Sequence, residues 1–162
     1  MNKTLLTAAL AALLAASQQI APVPAYCGDL ELVESVPAET VYGSKDTSRP
    51  TDVWPAMINA AQKTLDIEEF YFSAGPALTP VLDAIKAAAA RGVKIRIIID
   101  SKYYAKKPAI PDELKKVPGV SLVTLDMGAG VQHAKFFIVD GNQVYVGSQN
   151  MDSLSLSQIH EM

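Results

Sequence analysis

The segment at residues 93–100, VKIRIIID, limits most strongly the folds open to this chain. Its first residues alternate between apolar and polar side chains and its last ones are continuously apolar, as in a central strand of a sheet. An amphipathic run precedes it at residues 78–91, with Leu82, Ile85 and Ala89 on the apolar face, and stops at Gly92, a typical helix-ending position. A helix that leads into a buried strand indicates an α/β protein, whose sites often lie beyond the carboxyl ends of the strands.

The other segments fit the same alternation. We expect strands at residues 29–36, 66–73, 120–125, 134–139 and 143–146. A helix capped by Thr51 or Asp52 should run to residue 65, and a short helix should cover residues 111–117. Residues 38–50 and 102–107 should form polar loops. Together they predict one α/β/α sandwich in which helices flank a mixed β-sheet, and 162 residues suffice for one such domain.

The end of the chain suggests a fragment. A short helix or turn at residues 151–155 is followed at 156–162 by what reads as the start of a strand. Such a strand would lack its neighbour in the sheet and a covering helix. We therefore expect residues 26–162 to form one domain truncated at its C-terminus, without its last strand and helix.

The first residues predict a secretory signal peptide at residues 1–25. A basic start is followed by an apolar run at residues 5–16 that is too short to span a bilayer. Residues 23–25, VPA, offer a cleavage site, and residues 15–17, AAS, offer an earlier one. We expect the mature chain to be secreted or periplasmic.

Cys27 is the single cysteine, which is unusual for an exported protein. Tyr26 stands directly before it and does not fit a lipoprotein cleavage pattern, so we expect no lipid anchor. The thiol either pairs with another chain, pairs with a cysteine outside this sequence, or stays reduced.

The formal net charge of −3 argues against a protein that coats polyanions by charge alone. Five lysines nonetheless fall close together: Lys102, Lys106, Lys107, Lys115 and Lys116. They either attract phosphates near one edge of the domain or form an ordinary solvated loop and helix.

Residues 131–150, VQHAKFFIVDGNQVYVGSQN, place two polar motifs within a predicted β-hairpin. The motifs are His133-x-Lys135-x4-Asp140 and Gly147-Ser148-x-Asn150. Because side chains alternate across a strand, His133 and Lys135 project from one face and Asp140 from the other. We expect the first two to share a ligand and Asp140 to stabilise the turn beside Gly141.

The two motifs together resemble the signature of the phospholipase D superfamily. The resemblance implies phosphodiester cleavage through a phosphohistidine, with His133 as the nucleophile and Lys135 and Asn150 holding the phosphate oxygens. Ser148 would add a hydroxyl group, and Gly147 would let the backbone come close. Glu161 lies where members of this superfamily typically have an acidic residue that accepts a hydrogen bond from the catalytic histidine.

No cofactor or metal is expected. Two histidines and one cysteine are scattered along the chain without the spacing of a zinc site. His160 has the opposite strand parity to Glu161, so we expect it on the surface.

Enzymes of this superfamily use two such motifs, and this sequence has one. The second histidine would come from another copy, as in small secreted bacterial nucleases, or from the missing half of a longer chain. Residues 32–37, 66–73, 91–96 and 150–158 resemble the two-motif branch with lysosomal single-strand exonucleases and viral relatives, which favours the longer chain. Ser153-Leu154 departs from that branch's aromatic-Arg pair.

The resemblance implies a phosphodiesterase, and the N-terminal pattern implies that it is secreted and has no stable membrane anchor. Nucleic acid is slightly favoured as its substrate. The alternatives are a phospholipase D that acts on phospholipid headgroups and a catalytically incomplete phosphate-binding half-domain.

Overall fold

The computed structural model describes residues 29–162, so the predicted signal peptide and Cys27 lie outside the described residues. Residues Glu31–Met162 form one compact unit. Its elements are α1 (Pro50–Ala60), β1 (Thr64–Glu69), β2 (Phe72–Ser73), α2 (Thr79–Ala90), β3 (Lys94–Asp100), α3 (Ser101–Lys106), α4 (Ala109–Leu114), β4 (Val120–Leu125), β5 (Phe136–Val139), β6 (Gln143–Val146), β7 (Met151–Asp152) and α5 (Ser153–Ser157).

Five of the strands form one mixed sheet in the order β4-β3-β1-β5-β6. Strands β1, β3 and β4 run parallel, whereas β5 is antiparallel to β1 and β6 to β5. Strand β3 is therefore an inner strand with a parallel neighbour on each side. A two-stranded parallel sheet, β2-β7, ties the chain after β1 to the chain after Asn150. The prediction of a mixed sheet flanked by helices is confirmed.

Helices α1 and α2 pack against one face of the sheet. Ile67 lies opposite both Ile97 and Phe137 in register, and all three side chains are buried. Trp54 of α1 meets Phe137 edge-on at a ring-centroid distance of 6.0 Å, which anchors α1 to the hairpin. The inward face predicted for α2 is also confirmed, since Leu82, Ile85 and Ala89 are buried.

The opposite face of the sheet is exposed in the described part of the chain. Val123, Val144 and Val146 are 54%, 60% and 74% exposed. Arg96 and Asp66 form an ion pair on this face, beside an open groove of about 410 Å³. Residues 29–162 therefore supply one helical layer of the expected sandwich.

The predicted strand at residues 29–36 is wrong. This segment makes only isolated bridges, Val33 to Ser48 and Ser35 to Glu161. The buried Glu34 carboxylate accepts hydrogen bonds from the Ser44 amide at 2.8 Å and from Thr47 Oγ1 at 2.7 Å. Because these bonds hold a loop around Glu34, the segment does not join the sheet.

Several boundaries also differ from the predictions. Helix α1 begins after Arg49, which makes no side-chain cap, and its last residue is Ala60, because residues 64–69 pair with β3 and β5. The strand predicted at 66–73 breaks between β1 and β2. The predicted strand start at 156–162 is instead the end of α5 followed by the single bridge from Glu161.

The loop predicted at residues 102–107 is wrong, because residues 101–106 form α3. Asp100 caps this helix by accepting a hydrogen bond from the Tyr103 amide at 2.9 Å. None of the helices in the described range is long and apolar enough to cross a lipid bilayer.

Candidate active site

His133 and Lys135 lie immediately before β5, at the edge where β1 and β3 end. Lys135 Nζ lies 3.2 Å from His133 Nδ1 and donates a hydrogen bond to the His133 carbonyl oxygen at 2.9 Å. The two side chains therefore meet as expected, although both residues lie outside strand β5. Lys135 is 6% exposed, whereas His133 is exposed to solvent.

Burial and charge lower the pKa of both groups. Partial burial first, and then the Lys135 ammonium, lower the pKa of His133 below its ordinary value. Burial also lowers the pKa of Lys135, and the charges of Glu69 and Glu161 oppose that change. A lowered pKa keeps the His133 imidazole neutral near pH 7, which is the form that can act as a nucleophile.

Glu69 is a residue of this region that the sequence reasoning missed. It is 1% exposed at the end of β1 and accepts a hydrogen bond from the Met151 amide at 3.3 Å. Burial raises its pKa well above the ordinary value, against the opposing effects of the Met151 amide and Lys135. The sequence indicates this position, because Glu69 shares its strand face with Leu65 and Ile67 and so places its carboxyl group on the core face of the sheet.

Asp100 was also missed, and it holds the histidine segment in place. Its buried carboxylate accepts hydrogen bonds from the Tyr103 amide at 2.9 Å and from the Gln132 amide at 2.8 Å. The Gln132 side chain donates in turn to Glu68 Oε1 at 2.8 Å. The backbone directly before His133 is therefore attached to the ends of both β3 and β1.

Asp140 lies away from the His133 pair, at the far end of β5. Its carboxylate accepts hydrogen bonds from three successive amides, those of Gln62, Lys63 and Thr64, at 2.9, 2.7 and 2.9 Å. These bonds lower its pKa, and Asp140 itself has a φ of 52° in the turn. Its contacts are structural: they fix the start of β1 to the hairpin.

A glycine is required at position 147, because neighbouring side chains come too close for a larger residue. A Cβ at this position would overlap the Tyr145 hydroxyl group and would lie 2.6 Å from Gln149 Oε1. The Gly147 amide donates to the Lys135 carbonyl oxygen at 3.2 Å, so the second motif runs directly beside the first.

Asn150 and Glu161 each keep an unused acceptor atom. Asn150 Oδ1 and Glu161 Oε2 are buried without a hydrogen-bond partner within residues 29–162. Burial raises the pKa of Glu161, while the nearby Ser155 hydroxyl group opposes the rise. An unpaired buried acceptor costs about 1–3 kcal/mol, so both oxygens are available to a donor that completes the site.

One contact expected from the resemblance is not formed among the described residues. Glu161 makes no hydrogen bond to His133, because His133 Nδ1 faces the Lys135 ammonium instead. Ser148 is exposed, and its hydroxyl donates to the Met162 carbonyl oxygen at 2.9 Å. The roles of Glu161 and Ser148 toward a substrate stay predictions.

His160 lies on the surface, as expected. Its side chain is 58% exposed, and its Nε2 contacts Glu34 Oε1 at 2.7 Å. It takes no part in the His133 cluster.

Residues 55–162 match the family described as "Cardiolipin synthase, PLD-like domain". The chain belongs to the phospholipase D-like family. Its relatives in this family include the rat 5'-3' exonuclease PLD3, which is 33% identical over 87% of this chain and 32% of its own length. The virion nicking-joining enzyme of vaccinia virus (strain Western Reserve) is 33% identical over 68% of this chain and 27% of its own length.

A solved structure of the family shares the fold. The phospholipase D family member Nuc from Salmonella typhimurium matches with a TM-score of 0.58 and 25% identity, over 67% of this chain and 69% of that one. The chain spans about a third of the length of the curated relatives that it matches.

Proposed function

We propose that this chain carries one catalytic half of a phosphodiesterase of the phospholipase D superfamily, with nucleic acid as the favoured substrate. The observation that carries the proposal is the pairing of an exposed imidazole with a buried ammonium, His133 Nδ1 to Lys135 Nζ at 3.2 Å. A lysine held at a site edge with a lowered pKa can bind a phosphate oxygen, and the neutral imidazole beside it can attack phosphorus.

The reaction has two steps. In the first, an imidazole nitrogen of His133 forms a bond to phosphorus while the bond from phosphorus to the leaving oxygen breaks, and a second histidine protonates that oxygen. In the second, this histidine removes a proton from water, the water oxygen bonds to phosphorus, and the bond to His133 breaks. Lys135 and Asn150 stabilise the nonbridging oxygens during both transfers.

Attack through Nε2 requires a proton on Nδ1. In the structure Nδ1 faces the Lys135 ammonium, so the imidazole must turn when Lys135 moves to the phosphate. Its Nδ1–H then needs an acceptor. The unpaired, buried Glu161 Oε2 supports the assignment of that role to Glu161.

The second histidine comes from a second copy of this chain or from a further segment with its own motif. A single His133–Lys135 pair supplies a nucleophile but no separate acid, so the half-domain alone cannot complete the cycle. The number of copies in the active species distinguishes these two sources.

Nucleic acid is favoured because the rat relative is named a 5'-3' exonuclease. The family description "Cardiolipin synthase, PLD-like domain" keeps phospholipid as the second candidate. We also propose that residues 1–25 direct export, so that the protein recovered from the medium or periplasm begins at residue 26.

The test assays the exported protein against a chromogenic phosphodiester, short single-stranded DNA and phosphatidylcholine while its mass in solution is recorded. Where a second copy supplies the other histidine, we expect hydrolysis by a dimer that persists in EDTA and is abolished by His133→Ala. The matched control is His160→Ala, which removes an exposed histidine outside the cluster. Activity that survives His133→Ala would remove the proposed nucleophile, and an inactive monomer would reject a self-sufficient enzyme.

A further inference from the structure

A continuous series of aromatic rings leads away from His133. The Phe70 ring lies 4.5 Å from the His133 ring, Tyr103 lies 3.9 Å from Phe70, and Tyr71 stacks on Tyr103 at 5.5 Å with an interplanar angle of 18°. Phe70 is buried, and Tyr71 and Tyr103 are half-buried. We call Phe70, Tyr103 and Tyr71 the aromatic series.

Two lysines lie over the outer rings of this series. Lys107 Nζ is 4.3 Å from the centre of the Tyr71 ring, and Lys106 Nζ is 4.7 Å from the centre of the Tyr103 ring. Both lysines are exposed, and within residues 29–162 neither forms an ion pair with a carboxylate. Their charges are therefore available to an anionic ligand that approaches the rings.

Tyr71 contacts both other rings of the series, Phe70 at a ring-centroid distance of 5.4 Å and Tyr103 at 5.5 Å. Tyr103 stacks on one face of the Tyr71 ring, and the Tyr71 hydroxyl group lies beside Asp152. Burial and the Asp152 contact raise the pKa of Tyr71, which keeps the hydroxyl group protonated. A ring held in this way loses little freedom when a ligand stacks on its outer face.

We propose that the outer face of Tyr71 is a stacking site for one unpaired nucleobase of a single-stranded nucleic acid whose scissile phosphate lies at His133. The base displaces the Lys107 ammonium, and Lys107 and Lys106 then contact the flanking phosphates. This inference rests on the proposed function, since it names the substrate class of the same site.

The positive charge of the two lysines over the rings favours a nucleic acid over a cationic lipid headgroup. An aromatic face would also attract a quaternary ammonium group, but Lys106 and Lys107 repel it. A nucleic acid strand brings a flat base and two phosphates to the same place. The base must be unpaired, because bases within a duplex already stack on one another.

The experiment measures oligonucleotide binding by fluorescence anisotropy in the full chain with His133→Ala, so that the probe is not cleaved. The probes are a labelled octathymidylate and an octamer of abasic sites with the same length and charge. We expect Tyr71→Leu to weaken octathymidylate binding roughly 5- to 150-fold, the effect of removing one base–aromatic stack, and to leave abasic binding unchanged.

Tyr71→Phe is the matched control, because it keeps the ring and removes only the hydroxyl contact to Asp152. It should bind octathymidylate within about twofold of the Tyr71 protein, since the lost group does not touch the base. Lys107→Met should reduce the slope of log affinity against log salt by about 0.7, the value for one phosphate contact on a single strand.

Equal weakening of both probes by Tyr71→Leu, or of neither, would overturn the stacking site. Tighter binding of phosphatidylcholine vesicles than of octathymidylate would also overturn it. If Tyr71-dependent binding is found but no phosphodiester is hydrolysed even when the second catalytic half is present, the stacking site stands and the proposed function fails.

Discussion

Replacing Asp100 with asparagine should destabilise the domain and loosen the segment that carries His133. The 1%-exposed carboxylate accepts two backbone hydrogen bonds, from Tyr103 and Gln132. A hydrogen bond to a charged group contributes about 1.5–3 kcal/mol, and asparagine keeps one oxygen while turning its NH2 group toward the other amide. We therefore expect the free energy of unfolding to fall by about 3 kcal/mol.

Urea unfolding of the full chain measures this loss. With a slope of about 1–3 kcal/mol per molar urea, the midpoint should move down by about 1–3 M. Hydrogen exchange at the Gln132 amide should also become faster, because that amide loses its charged acceptor.

The control is Asp126→Asn, which changes an exposed carboxylate that accepts one amide, that of Gly128 at 2.8 Å. A loss below about 0.5 kcal/mol for Asp100→Asn, equal to that of an ordinary surface change, would refute the assigned role of Asp100.

Three further substitutions test other parts of the structure. Because three amides lower the folded-state pKa of Asp140, its contribution to stability is fully present above its ordinary pKa of 3.8 and is lost as pH falls through the folded value. The stability difference between wild type and Asp140→Asn, followed by urea unfolding, should therefore shrink below about pH 4, and a difference that stays constant would contradict this. Gly147→Ala should lower stability by about 1–3 kcal/mol in the same assay, since its Cβ overlaps a tyrosine hydroxyl, whereas Gly130→Ala, with its nearest contact at 3.6 Å, should change little. Lys135→Met keeps the bulk of the side chain but removes its charge. The pKa of His133 should therefore rise in an NMR titration, and hydrolysis should fall at least about 100-fold. An unchanged pKa would exclude the Lys135 charge as a cause of the lowered His133 pKa.

Local side-chain patterns predicted the parts of the fold that are governed by burial. The strand at residues 93–100 and the apolar face of α2 follow from periodicity, because each buries its apolar residues against the same core. The two-residue spacing of His133 and Lys135 also anticipated their meeting, although both lie just before β5. These features depend on residues close together in the chain.

The features that were missed depend on hydrogen bonds or on contacts distant in sequence. Helix α3 has no buried residue, so it shows no apolar period, and it is held by the Asp100 cap. The second bond of Asp100 reaches Gln132, 32 residues away. Similarly, Glu34 bonds to a loop ten to fifteen residues later, which overrides an alternating pattern that reads as a strand.

The most direct test of the central claim is to trap the covalent intermediate. The active species would be mixed with a phosphodiester substrate, quenched within milliseconds in base, where phosphohistidine survives, and digested for mass spectrometry. The proposed chemistry predicts a phosphoryl adduct on the peptide that contains His133, absent from His133→Ala and present in His160→Ala. Substrate turnover with the adduct on another residue, or with no adduct in a quench that preserves a control phosphohistidine, would contradict the assignment of His133 as the nucleophile.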